Sequence, residues 1–218
     1  MIAGYQHFLR LASRIQWDAE AVDLSADARA WPVDDRIAGY VAGFLVGEQG
    51  VADHLAPFFH DGHAAAVFDV QKRDEERHAR FFERYAHAVG LSEPRAYVTD
   101  EFAELFDVRL PCAAAASGVE AVGVYHMILE GVVFTAGQYA LLELLDDRLP
   151  GLRAGMELVL RDERWHVGFG TRCLADADLS DAQVARILDE GERAAAVWAP
   201  EHAERVVTNL RRRMAAIR

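Results

Sequence analysis

Between Leu110 and Leu142 the chain carries only two charged residues, Glu120 and Glu130. The rest of that run is dominated by alanine, glycine, valine, leucine and aromatic side chains. A helix that is apolar on nearly every side belongs at the centre of a folded body. The acids and several glycines interrupt the run, so a membrane span is not expected. Glu130 is the sharper constraint, because Met127, Ile128, Leu129, Val132, Val133 and Phe134 surround it. An isolated ionised carboxylate in such a place is strongly unfavourable unless something compensates it.

A second acid poses the same problem. On a helix running from about Asp34 to Phe59, with Asp34 or Asp35 as cap, the apolar stripe includes Val41, Phe44, Leu45, Val51, Ala52 and Leu55. Glu48 falls inside it. Two further helices supply what both acids need. One, over about 64–89, carries Asp74-Glu75-Glu76-Arg77-His78; the other, over about 152–176, carries Asp162-Glu163-Arg164-Trp165-His166. Each contains Glu-x-x-His, and residues three apart on a helix share a face. The inventory is therefore Glu48, Glu75, His78, Glu130, Glu163 and His166. One Glu from each of two helices plus Glu-x-x-His from each of the other two is the donor pattern of dinuclear ferritin-like bundles. Four carboxylates neutralise two divalent ions, and imidazole suits iron or manganese. Closed zinc sites take fewer carboxylates and more Cys or His. Glu76 points away from His78 and is expected in solvent. Asp162 is either an acceptor for a ligand histidine or a surface residue.

The remaining pattern is helical throughout, with Gly and Pro at the joints. Residues 1–34 read as an irregular or partly helical arm, 35–176 as the metal-binding four-helix core and 177–218 as C-terminal helices, all in one domain. His60-Asp61-Gly62-His63 breaks the chain after the first long helix. Residues 91–111 read as a connection with a short helix after Thr99-Asp100, and about 112–146 as the long apolar helix. Ser180 caps a helix to about Trp198, and Pro200 precedes the last one. The fold class is all-α: a ferritin-like four-helix bundle with additional N- and C-terminal helices. With 35 Asp and Glu against 23 Lys and Arg, the chain lacks the basic face that nucleic acid requires. The N-terminus has no signal-peptide pattern. Cys112 and Cys173 read as reduced core thiols, and the expected location is cytoplasmic. His54, His60, His63, His87 and His202 are expected at the surface.

Four segments resemble the ligand-binding oxidase branch of the ribonucleotide reductase small-subunit family. They are Gly47-Glu48-Gln49-Gly50-Val51, Asp74 to Phe82, Tyr125-His126-Met127-Ile128-Leu129-Glu130-Gly131-Val132, and Arg161 to Gly170. The match covers most of residues 15–176 in order. The Glu and Glu-x-x-His set identifies the superfamily, and the Tyr125 to Val132 segment points to the oxidases. The resemblance implies a Mn/Fe or Fe/Fe site that activates dioxygen for a two-electron oxidation. It also implies an ether cross-link joining a valine three residues after the first Glu to a tyrosine five before the third; these are Val51 and Tyr125. On an ideal α-helix five residues turn Tyr125 about 140° from Glu130. A π-bulge would bring it round. His126 lies nearer the Glu130 face, as a packing and hydrogen-bonding residue or a ligand. Phe44 and Phe82 are expected to wall the cavity. The implied partners are dioxygen and a long-chain fatty acid or other apolar small molecule, in a chain compatible with a homodimer. The sequence departs from the family in having little chain after residue 176.

Other functions fit the same metals. A ribonucleotide reductase radical subunit usually has a tyrosine four residues after the first Glu-x-x-His, where this chain has Phe82, and another near its tail, which Arg211 to Arg218 lacks. Iron storage or peroxide detoxification, as in ferritins and rubrerythrins, and substrate oxygenation share the metal chemistry. A metal-free helical interaction protein would leave Glu48 and Glu130 buried without partners.

Overall fold

The computed structural model describes residues 2–31, 34–55, 62–116 and 118–217. Four long helical segments make the core: α3 (Asp35–His54), α4 (Gly62–Val89), the apolar run Gly118–Leu144 and α9 (Pro150–Asp176). No strand occurs among the described residues. The ends of these helices follow local chemistry. The Asp34 carboxylate accepts from Arg36 N at 2.8 Å and starts α3. Gly90, at φ +71°, ends α4. Pro150 occupies the first turn of α9, where its missing N–H costs nothing. His60 and Asp61 of the expected break lie outside the described residues, as does the proposed end of the first long helix near Phe59.

The apolar run is the central helix. It comprises α7 (Gly118–Val122), a π-helical stretch (Gly123–Phe134) and α8 (Thr135–Leu144). It is long and apolar enough to cross a membrane, but 89% of its most apolar window is buried inside the protein. It packs against α9 on one side and against α10 (Asp181–Ala194) and α11 (Ala203–Ile217) on another. Its other acid, Glu120, sits at the rim, paired with Arg109 at 2.8 Å.

The expected connection over 91–111 is helical from Asp100 onward: α5 (Asp100–Glu104), a π-helical turn (Leu105–Arg109) and α6 (Leu110–Ala116) follow without a break. Pro111 marks the end of that π-turn. Proline removes a donor and crowds the carbonyl four residues back, and a widened turn relieves both. The helix expected to reach Trp198 ends instead at Ala194, although Ser180 caps it as expected, in a reciprocal capping box with Gln183. The chain turns there so that the Trp198 indole wedges between α3 and α8. It fits because Gly43 and Gly137 lack side chains: a Cβ on either would overlap the ring.

The N-terminal arm is more ordered than its sequence suggests. α1 (Tyr5–Arg14) packs on α4 and α9, and α2 (Ser25–Ala30) follows a 3-10 turn. The buried Asp27 carboxylate accepts from Gly151 N at 2.9 Å and Leu152 N at 2.8 Å, capping α9 from a distance. One surface and one core expectation are corrected. His202 is buried, with Nε2 at 3.4 Å from Glu143 Oε2, because the turn before α11 carries it inward. Cys112 is exposed, on the outer side of α6; only Cys173 is a core thiol.

Candidate metal centre

The four core helices each deliver acids to one buried point. Glu48 comes from α3, Glu75 and His78 from α4, Glu130 from the π-helical stretch, and Glu163 and His166 from α9. All six side chains are at most 1% exposed. Their donor atoms form two overlapping groups, Glu48–Glu75–His78–Glu163 and Glu75–Glu130–Glu163–His166, with ligand atoms within 4.8 Å of one another in each. Glu75 and Glu163 belong to both. His78 Nδ1 lies 3.4 Å from Glu75 Oε2 and 3.4 Å from Glu163 Oε1. His166 Nδ1 lies 2.9 Å from Glu75 Oε1 and 3.7 Å from Glu163 Oε2. Each of these two carboxylates therefore turns one oxygen to each half. Glu48 serves the His78 half alone (3.7 Å), and Glu130 the His166 half alone (3.3 Å).

Both imidazoles present Nδ1 to the acids and Nε2 outward. His78 Nε2 donates to Asp162 Oδ2 at 3.3 Å, and His166 Nε2 to Asp74 Oδ2 at 3.4 Å. Each aspartate thus holds the histidine of the other Glu-x-x-His turn. Asp162 also accepts from the Trp17 indole at 2.6 Å and from Arg77 at 2.9 Å; Asp74 accepts from Arg77 at 2.7 Å. Burial opposes ionisation of Asp162, yet the hydrogen bond and charge of His78, then Trp17, hold it down to about 2. Of the two sequence readings of Asp162, the geometry gives the histidine acceptor. Sequence reasoning missed Asp74, Arg77, Gln71 and Trp17. The duplicated Asp-Glu-x-x-His was a signal for Asp74; nothing local marks Trp17, which arrives from the arm.

Fit to a metal pair can be judged from the donor atoms themselves. Both oxygens of Glu48 and Glu163, Oε2 of Glu75 and Glu130, and Nδ1 of both histidines are buried without a hydrogen bond. Buried polar atoms are normally paired, so eight orphans converging on one point call for a cation. Burial pushes the Glu48 carboxyl up to about 8, against the pull of His78. Burial also pushes Glu130 well above the ordinary range, reinforced by the charge of Glu163. Acids this reluctant to ionise alone are ready partners for divalent ions, whose charge reverses the preference.

The other expected residues surround this point. Tyr125 and Val51 are fully buried. The π-helical stretch brings Tyr125 onto the acid face, where its hydroxyl donates to Glu75 Oε1 at 2.6 Å. His126 turns Nε2 to Gln71 Oε1 at 3.0 Å, and burial lowers its pKa to about 3, so the ring is neutral. Gln71 stands between His126 and the acids, which makes His126 a hydrogen-bonding residue rather than a ligand. Phe44 and Phe82, one turn from Glu48 and His78, stack at 5.1 Å with ring planes 9° apart. Glu76 is exposed as expected.

No protein-family model matches the chain. Among solved structures it is similar to an R2-like ligand-binding oxidase variant with an aerobically reconstituted Mn/Fe cofactor. The TM-score is 0.78 at 21% identity, over 99% of this chain and 92% of that one. A second variant of such an oxidase, with an anaerobically reconstituted Mn/Fe cofactor, gives 0.78 at 23% identity over 99% and 90%. This coverage corrects the expectation of a thin C-terminal part, since α10 and α11 carry the match to the end of the chain. The all-α bundle of this chain is the fold of the R2-like ligand-binding oxidases.

Proposed function

We propose that the protein is a dioxygen-activating dimetal oxidase. Its ions, Mn/Fe or Fe/Fe, are held by Glu48, Glu75, His78, Glu130, Glu163 and His166. The observation that carries this reading is the pair of overlapping, buried donor groups, in which eight polar atoms that face one another have no hydrogen-bond partner. The Mn/Fe cofactors named for the oxidases of the same fold support it. When bound, the two ions supply the electrons and the coordination positions with which dioxygen is reduced.

The chain's own residues do the rest. Asp162 and Asp74 fix the imidazoles so that Nδ1 faces inward. Glu75 and Glu163 span the two positions and set their separation. Phe44 and Phe82 keep water from one side of the site. Tyr125, hydrogen-bonded to Glu75, and Val51, three residues past Glu48, are the pair for an ether cross-link. In that reaction Val51 loses a C–H hydrogen and Tyr125 its hydroxyl hydrogen, a C–O bond forms, and two electrons and two protons pass to dioxygen. A bound apolar molecule, a long-chain fatty acid among them, is the alternative C–H donor.

The test is anaerobic loading with Mn(II) and Fe(II), followed by oxygen. Oxygen uptake is expected, with peptide mass spectrometry showing the Val51 and Tyr125 peptides joined and two hydrogens lighter. Fully loaded protein that consumes no oxygen contradicts the oxidase reading. Oxygen uptake with unjoined peptides contradicts the cross-link and leaves the apolar molecule as the donor.

A further inference from the structure

Gln71 lies on α4 one turn before Glu75 and is fully buried. Its amide touches four residues in and around the site. Nε2 lies 3.0 Å from Tyr125 Oη, 3.0 Å from Glu130 Oε1 and 3.5 Å from Glu75 Oε1; Oε1 lies 3.0 Å from His126 Nε2. With Glu130 ionised, as a bound cation would hold it, reversing the amide would set its oxygen against the carboxylate; Oε1 can only accept, so His126 donates through Nε2. His126 is itself held in place by close packing on Gly170, where a side chain would overlap it. With Gln71 donating to the Tyr125 oxygen, the phenolic hydrogen is directed at Glu75 Oε1, 2.6 Å away.

The consequence is an asymmetric site. Glu130 and Glu75 each have Oε1 engaged by this cluster and Oε2 free, whereas both oxygens of Glu48 and of Glu163 are free. Gln71 touches Glu130, which serves only the His166 half, and makes no hydrogen bond with Glu48, which serves only the His78 half. We infer that Gln71 is a positioning residue that makes the two metal positions unequal, fixing the Glu130 carboxylate and thereby the affinity of the His166 half. This inference rests on the dimetal reading.

Mn(II) titration of the metal-free full chain, followed by the EPR signal of unbound Mn(II), tests it. Wild type is expected to take up two ions per chain. Gln71→Met keeps the length of the side chain and removes the amide. It should weaken one binding step about 10- to 100-fold, the cost typical of losing a group that orients a ligand, and leave the other unchanged. The weakened step should be the one that Glu130→Ala abolishes. Should Gln71→Met fail to fold, Gln71→Asn retains an amide that falls short of Glu130 and should produce the same selective loss. Two ions bound with both steps unchanged, both weakened alike, or the Glu48-dependent step weakened overturns the role of Gln71 alone. Fewer than two ions on wild type overturns the dimetal reading and the inference together.

Discussion

Glu48 shows most plainly how one residue of the proposed site would couple folding to metal. Its carboxyl is pushed to about 8 by burial, so the folded, metal-free chain holds a proton there that the unfolded chain releases in the ordinary carboxylate range. Between those limits the folded state binds more protons, and stability of the metal-free protein should fall as pH rises toward about 8. Urea denaturation across that window should show the decline, and Glu48→Gln should make it shallower, with Glu130, His78 and His166, all raised by their surroundings, keeping the rest; an equal slope in the variant would refute a share for Glu48. Metal binding requires the ionised form, so uptake at the His78 half should strengthen with pH over the same range and release protons. The aspartates behind the histidines act differently. Asp162→Ala leaves His78 Nε2 without its acceptor and should cost about 10- to 100-fold in metal affinity, measured by competition with a chelator; unchanged affinity would make Asp162 a packing residue only. The convergence of the six candidate donors was legible because an acid inside an apolar run needs a compensating charge, and Glu-x-x-His spacing puts a second and third candidate on one helix face. Gln71 and Trp17 were not, because a polar residue in a charged helix or an arm shows its role only once its neighbours are placed.

Between residues and the whole lie the elements, and here spacing carried more than propensity. The five-residue interval from Tyr125 to Glu130 required a π-bulge to bring both onto one face, and the central helix is π-helical over Gly123–Phe134. Helix ends marked by Asp34, Gly90 and Ser180 were readable from capping chemistry. The early end of α10 was not, because it depends on partners distant in sequence, and neither was the helical course through Pro111, where a widened turn absorbs a residue that ordinarily breaks a helix. Trp198 is the clearest case: its ring centroid lies 4.7 Å from those of Phe44 and of Phe102, in space that the missing side chains of Gly43 and Gly137 leave open. Phe44 belongs to the helix of Glu48, so the wedge also spaces two helices of the core. Gly43→Ala should destabilise the protein by about 1–3 kcal/mol, the usual cost of overpacking, as a lower urea midpoint with unchanged slope; an unchanged midpoint would show that the indole can move aside.

At the scale of the molecule, the formal charge of −12 misdescribes the surface. Asp27, Glu48, Asp74, Glu75, Glu130, Asp162 and Glu163 are all buried, and two divalent ions would neutralise the four glutamates. On the proposed function, the metals should then act as structural ligands as well as reactive ones. Saturation at 100 times the dissociation constant stabilises a folded protein by about 2.7 kcal/mol per site, so chelation should lower the melting temperature, and Glu130→Ala should lose part of that difference while the metal-free fold survives. The bundle, the order of its donor helices and the metal-binding motif were legible in the sequence; the closure of the fold by the arm and by α10 and α11 was not, since amphipathic helices declare a buried face without naming what covers it. The central claim is two ions at one buried point, and anomalous diffraction from crystals of the reconstituted protein, recorded at the manganese and iron edges, tests it directly. The account predicts two peaks about 3.5–4 Å apart, one beside His78 Nδ1 and Glu48, the other beside His166 Nδ1 and Glu130, with Glu75 and Glu163 between them. A single peak, or none among these six side chains, would contradict it.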